Sequence, residues 1–162
     1  MPKIYFAADH AGFALKNILI ERVRGLGYAV EDMGALAYDI EDDYPDFVMP
    51  CARKVVTEPD AFAIVMGGSG DGEAMCANRI PGVRAALFYG KKNVVIDLKD
   101  LESGYSEDGF DIVRFARKHN DANVLSLGAR FLDAEEAFEA VKVFLETPFS
   151  GALRHMRRIA KF

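Results

Sequence analysis

Two cysteines are all the thiol chemistry this chain carries, and they stand apart at Cys51 and Cys76. Neither has a metal-type spacing, which excludes a zinc motif and a disulfide framework; reduced thiols in or near a core are the expectation. No apolar run approaches the roughly 20 residues of a membrane span. The N-terminus, Met1-Pro-Lys-Ile-Tyr-Phe6, enters a strand pattern directly without a signal-peptide layout, so a cytoplasmic location is expected. Positive charge is in deficit. The net charge of −5 leaves no global basic field for nucleic acid or an anionic membrane. A Gly-Lys-Ser/Thr P-loop is missing, and so is any His/Cys/Asp cluster with ligand spacing, so neither metal nor cofactor is expected. Repeats, low-complexity segments and linkers are absent too. What remains is a chain 51% hydrophobic and 28% charged, ordinary for a soluble globular protein, and its 162 residues suffice for one domain with a substantial core.

Hydrophobic patterning alternates between two periods. Lys3–Ala8, Tyr28–Met33, Ala61–Met66, Val83–Tyr89 and Asn123–Leu127 read as strands. Phe13–Leu26, Tyr44 to about Val56, Ile112–His119 and Ala134–Leu145 read as helices, and the basic tail Leu153–Phe162 as a short helical arm. Strands alternating with helices predict an α/β fold: a three-layer α/β/α arrangement on a flavodoxin-like or Rossmann-like five-stranded parallel sheet. Ligands bind such sheets beyond the carboxyl ends of the strands, where strand order reverses. In a flavodoxin-like order that point lies between strands one and three. One segment exceeds a minimal domain. Residues 90–122 separate strands four and five, against usual connections of roughly 2–6 residues. A solvated excursion and a lid or added interface are both open.

The most informative stretch is Gly67-Gly-Ser-Gly-Asp-Gly-Glu73, which follows the third strand. Its glycines permit positive φ and close approach of other groups. The residues after it, through Asn78, read as a helix start, so strand, glycine turn and helix form an anion cradle. Glu73 beside those N–H groups is the pairing that proton abstraction next to a carbonyl requires: a base, and a place for the charge that develops on oxygen. Glu73 as a mere complement to the helix dipole stays open. So does Ser69 as a turn hydrogen-bonder. The glycines do not spell G-x-G-x-x-G and follow the third strand rather than the first, which argues against a dinucleotide site.

Other polar clusters carry two readings each. Asp9-His10 ends the first strand, as a helix cap or as part of a pocket with the glycine loop. His119-Asn120-Asp121 precedes the fifth strand, as turn chemistry or as a proton-transfer group. Arg154, His155 and Arg158 share one side of the tail helix, either offsetting its negative end or clamping a phosphate, and Arg130 could join that clamp.

Taken together, Ala8-Asp-His-Ala-Gly-Phe13, Tyr44-Pro-Asp46, Gly67–Glu73 with Ala77-Asn-Arg79, Pro81-Gly-Val-Arg-Ala85, His119-Asn-Asp-Ala-Asn123 and Thr147–Gly151 through Arg158 resemble the ribose-5-phosphate isomerase B family, which includes the galactose-6-phosphate isomerases. These stretches run in the family's order over most of the chain. The stretch Lys91–Val113 looks like an insertion, and residues 150–162 form the C-terminal arm of a single sugar-phosphate isomerase domain covering 1–162.

The resemblance implies cofactor-free, metal-independent interconversion of an aldose and a ketose phosphate through a cis-enediolate, foremost ribose 5-phosphate and ribulose 5-phosphate. Galactose 6-phosphate, allose 6-phosphate or a tetrose phosphate is the alternative substrate, and a non-catalytic sugar-phosphate-binding protein the alternative function. One branch of the family uses a cysteine base at the position of Gly67. The other uses a glutamate at the position of Glu73, and this chain matches the second. By the same resemblance His119 opens the sugar ring, Asp9 handles ring or hydroxyl protons, and Ser69 assists at a hydroxyl. Backbone N–H groups along Gly68–Gly72 form the anion hole, with Gly67, Gly68, Gly70, Asp71 and Gly72 as substrate-binding positions. His10, Arg130, Arg154, His155 and Arg158 bind phosphate, some from the second subunit of a homodimer or higher homo-oligomer. Tyr44, Asn78 and Asn120 line the sugar site. Cys76 takes no part.

Overall fold

The computed structural model describes residues 1–58, 60–95 and 105–162. Five strands, β1 (Lys3–Ala8), β2 (Ala29–Asp32), β3 (Phe62–Gly67), β4 (Ala85–Phe88) and β5 (Val124–Gly128), form one parallel sheet in the order β2-β1-β3-β5-β4. Six helices accompany them: α1 (Phe13–Gly25), α2 (Tyr44–Thr57), α3 (Asp71–Ala77), α4 (Asp111–Asn120), α5 (Ala134–Glu146) and α6 (Leu153–Ile159). Among the described residues, no helix is long and apolar enough to cross a membrane.

The strand alternation divides the core. On one face Ile4, Phe6, Ile64, Met66 and Leu125 pack against α1, α4 and α5. On the other, Tyr5, Ala7, Ala63, Val65 and Val124 pack against α2 and α3. Both faces of the central strands are covered, which is why these strands read as continuous apolar runs. The free cysteines follow the sequence expectation of thiols in or near the core. Cys51 is fully buried, and burial, then Asp32 and Glu31, push its thiol far up, so it is inert packing. Cys76 is only half-buried.

The strand order departs from flavodoxin at one edge: β5 lies inside β4 rather than outside it. Burial explains the exchange. Every residue of β5 is buried, so it needs a strand on each side. Ala85, Ala86 and Leu87 of β4 are only half-buried, which suits an edge. The reversal between β1 and β3 is unaffected. Ala8 pairs with Met66 there, so Asp9, just after β1, and Gly67, the last residue of β3, lie side by side.

The loop after β2 is anchored from below. Lys16 is fully buried and its ammonium pairs with Asp32, whose other oxygen accepts the Gly34 N–H at 3.0 Å. A buried lysine persists only when paired. This pair fixes where residues 34–43 leave the sheet and return over the β1 end.

Candidate active site

An open pocket of about 330 Å³ lies at the reversal point, lined by Asp9, His10, Ala11, Tyr44, Gly68, Ser69, Gly72, Glu73 and Arg130. Three of the loop glycines are there because other side chains occupy the space above them. A Cβ on Gly67 would collide with the Glu73 carboxyl group, with Oε2 at 2.9 Å and Oε1 nearer still. One on Gly68 would meet the Arg130 guanidinium carbon at 3.2 Å, and one on Gly72 the Tyr44 hydroxyl at 2.9 Å. The fourth glycine is a backbone requirement. Gly70 has φ +81°, and a Cβ would press on Leu127 and Gly128 of β5. Its carbonyl accepts the buried Ser126 hydroxyl at 2.7 Å, so Gly70 faces the sheet rather than the pocket. Asp71 is exposed beside the pocket, and its N–H donates to Ser69 Oγ at 3.2 Å, leaving the hydroxyl proton available to a ligand. Arg130 is tethered to the same loop by its N–H to the Gly68 carbonyl at 3.1 Å.

Glu73 is 4% exposed. Burial pushes its carboxyl above the ordinary range; its own backbone N–H pulls it down, and the Asp9 and Asp71 carboxylates add to the rise. A carboxylate with elevated proton affinity, enclosed yet open to a pocket, is suited to taking a proton from carbon. Asp9 is held by the N–H groups of Ala11 (3.0 Å) and Gly12 (3.3 Å). His10 is held by a residue the sequence did not reveal. Asp42 Oδ1 accepts both the His10 backbone N–H at 3.0 Å and its Nδ1–H at 2.7 Å. That bond, chiefly, raises the His10 imidazole above its ordinary value; burial opposes it, Asp9 and the Asp42 charge support it, and Arg130 opposes it weakly. In the sequence Asp42 was one acid among several in a loop, with no spacing to distinguish it.

Asp9, His10 and Asp42 also bring one potential ligand atom each within 4.8 Å of one another. The 2.7 Å Nδ1–Oδ1 separation is that of a charge-assisted hydrogen bond, and a nitrogen engaged in it has no lone pair to give a metal. In this arrangement the Asp42 carboxylate holds the Nδ1 proton of His10.

Of the remaining predicted residues, His119, Arg154, His155 and Arg158 form a second cluster, with Asn120 at its edge. His119 stacks between Phe115 (4.9 Å) and His155 (4.4 Å), and Arg154 Nε lies 3.2 Å from His155 Nε2. Burial lowers the His119 imidazole, with His155, Arg154, Lys118 and Arg158 adding to the effect, so it is held neutral near neutral pH. None of His119, Asn120, Arg154, His155 and Arg158 lines the first pocket. Topology separates the two groups. α4 ends at Asn120, whose carbonyl accepts Arg84 Nε at 3.1 Å, at the level where Ala85 pairs with Val124. Gly67 pairs with Gly128 at the opposite end of β5, about 13 Å of strand away. Asn78 stands with neither the glycine loop nor the basic cluster. Its amide bonds both ways to the Ala85 backbone, at 3.0 and 2.8 Å, and it lines a groove with Ile80, Asn120, Ile159 and Phe162.

The family model described as Ribose/Galactose Isomerase matches residues 4–96 and 108–162. The chain belongs to this family. Ribose-5-phosphate isomerase B of Mycobacterium tuberculosis is 38% identical over 157 residues, spanning 97% of this chain and 85% of that protein. The crystal structure of ribose-5-phosphate isomerase B from Mycoplasma genitalium with bound ribulose-5-phosphate matches with a TM-score of 0.83 at 35% identity, over 98% of this chain and 92% of that one. The enzyme from Thermotoga maritima matches with a TM-score of 0.82 at 38% identity, over 99% and 96%. Membership in the ribose/galactose isomerase family makes the chain an aldose–ketose isomerase of sugar phosphates.

Cys76 is half-buried on α3, three residues after Glu73. Burial, then the Glu73 charge, push its thiol above the ordinary value, and Arg53 opposes them. Cys76→Ala is expected to leave kcat/KM within about twofold, as for substitutions away from the reacting groups. A steady-state comparison with the native chain checks this.

Proposed function

We propose that the chain interconverts ribose 5-phosphate and ribulose 5-phosphate through a cis-enediolate, with Glu73 as the base. His119 and Asp9 move the protons that open the sugar ring. Glu73 then takes the C2 proton of the open aldose, and the electron pair moves toward the C1 carbonyl oxygen. Backbone N–H groups along Gly68–Gly72 hold the negative charge that develops there. The proton passes from the C2 hydroxyl to the C1 oxygen with Ser69 assisting, and Glu73 returns its proton to C1. The product is the ketose, with no net gain or loss of atoms or electrons. The supporting observation is the Glu73 carboxyl lying over Gly67, in the space a cysteine side chain would occupy. The two ways of placing a base in this pocket are therefore mutually exclusive, and this chain has taken the carboxylate. A turnover assay on tetrose to hexose phosphates tests the proposal. Ribose 5-phosphate should show the highest kcat/KM. A preference for galactose or allose 6-phosphate would change the substrate but not the chemistry. No turnover of any member would leave a binding protein.

The enzyme acts as a homodimer in the cytoplasm, without metal or cofactor. His119, Asn120, Arg154, His155 and Arg158 of one subunit complete the Asp9–Glu73 pocket of the other. The separation of the two clusters along β5 supports this, because the ring-opening histidine and the tail cations lie away from the pocket that holds the base.

The domain carries its insertion on the rim that faces the substrate. Residues 97–107 lie between the two family-matched stretches. The excursion expected over Lys91–Val113 falls partly outside the described residues, at 96–104. Its ends are fastened to each other and to the core. Lys92 N–H donates to the Gly109 carbonyl at 3.0 Å, Lys91 N–H to Glu136 at 2.8 Å, and Arg114 grips Asp108 and Ser106. It leaves the carboxyl end of β4, where Tyr89 packs on Phe131 next to Arg130. Replacing 96–104 with a short Gly-Ser link should preserve the thermal midpoint within a few degrees and change the substrate ranking or the assembly. An unchanged ranking, kcat/KM and oligomeric state would make the excursion a passive surface loop.

A further inference from the structure

We propose that Asp42 is the positioning residue of the phosphate site: it holds the His10 ring through Nδ1 so that Nε2 serves as the hydrogen-bond donor to phosphate oxygens. The inference rests on the sugar-phosphate reading above and adds a residue that the sequence pattern did not single out. Asp42 reaches His10 from the loop between β2 and α2, a different element from the β1 end that carries the histidine. Its Oδ1 receives two N–H groups of the same residue, the backbone amide at 3.0 Å and Nδ1 at 2.7 Å. Two bonds to one residue fix both the start of the Asp9–Gly12 turn and the rotation of the ring. The Asp42 side chain is 7% exposed, and its second oxygen is buried with no hydrogen-bond partner among the described residues. Tyr38 sets its ring edge-on against both His10 (6.4 Å) and Phe13 (6.2 Å) and limits how far the imidazole can turn.

With Nδ1 committed to Asp42, Nε2 is the nitrogen left for a ligand, and it has no hydrogen bond among the described residues. A neutral imidazole in this tautomer would present Nε2 as an acceptor, which repels a phosphate oxygen. A protonated ring presents it as a charged donor. The charged groups facing His10 are Asp42, Asp9 with Oδ2 at 4.0 Å, and Arg130 across the pocket. Two carboxylates on the same side as Nδ1 favour the imidazolium, and Arg130 supplies a second cation for the same anion. Asp42 therefore makes His10 a donor at a pH where an isolated histidine is mostly neutral.

The test uses the native chain and inorganic phosphate as the probe. NMR titration of the His10 Cε1–H signal gives its midpoint, and phosphate affinity is measured from pH 6 to 9 for the native chain, Asp42→Asn, His10→Gln and the double variant, with thermal melts confirming that each is folded. Asp42→Asn keeps shape and removes charge, so the His10 midpoint should fall by about one unit. Phosphate affinity at pH 8 should fall about tenfold, with little change at pH 6. In the His10→Gln background, Asp42→Asn should have no further effect. A His10 midpoint that does not move, a loss of affinity equal at every pH, an additive loss in the double variant, or a native chain that does not bind phosphate would each overturn the assignment. These readouts need no turnover. Failure of the isomerase reading would appear in the substrate panel while the phosphate titrations stood. If both hold, Asp42→Asn should raise KM for the sugar phosphate with increasing pH and leave kcat nearly constant.

Discussion

Glu73→Gln is expected to lower kcat by about 10²–10⁴-fold with KM nearly unchanged, the loss typical of removing a general base. The amide keeps the shape that fills the space over Gly67 but cannot accept the proton. In the native enzyme the acidic limb of kcat/KM should lie above the ordinary glutamate range, because burial, then the neighbouring Asp9 and Asp71 charges, raise the carboxyl. That limb should be missing from the residual activity of the variant. The same shift has a stability consequence of opposite sign. A carboxyl raised in the folded state contributes stability that is fully present below its unfolded value and is lost as pH rises through its folded value. At neutral pH the native chain has lost that contribution, whereas glutamine has no charge to bury. Glu73→Gln should therefore melt higher than the native chain at pH 7, with the difference vanishing near pH 4. Near-native turnover in the variant would remove Glu73 from the mechanism. Gly67→Ala should also be severe, since its methyl group must displace the carboxyl.

The second large effect concerns the tail. Arg154→Ala with Arg158→Ala should raise KM steeply, with each charge-assisted contact worth about 1.5–3 kcal/mol, and change kcat less. Mixing this tail variant with Glu73→Gln discriminates the proposed dimer. If tails serve the partner's pocket, random exchange places half of the chains in mixed dimers, and each has one intact site. At substrate well below the tail variant's KM, about a quarter of native activity then returns from two nearly inactive parents. If each tail serves its own chain, no mixture recovers activity. Size-exclusion with light scattering must first show that subunits exchange. Unchanged KM in the tail variant would refute the phosphate role outright.

The alternation of strand and helix periods, the glycine loop after the third strand and the pairing of Glu73 with that loop were all legible from the amino-acid order. They depend on local geometry: side-chain period, the backbone freedom of glycine and the sequence neighbours of a helix start. The α/β class followed, and so did the meeting of Asp9, His10, Ser69 and Glu73, because parallel topology brings the carboxyl ends of β1 and β3 together, whereas Arg130, expected with the tail cations, joins this pocket instead. Three things were decided by tertiary structure. β5 took the inner position because its residues are buried throughout while those of β4 are not, and strand periodicity does not rank two strands for one place. Gly67, Gly68 and Gly72 turned out to clear space for Glu73, Arg130 and Tyr44, contacts made between segments rather than along one. Asp42 found His10 from 32 residues away, a pairing that depends on how the loop after β2 folds back over β1 and leaves no periodic trace in the chain. The same reason explains why one site became two clusters. A helix that returns antiparallel to its strands delivers His119 to the end of the sheet opposite the glycine loop, as any crossover between parallel strands requires.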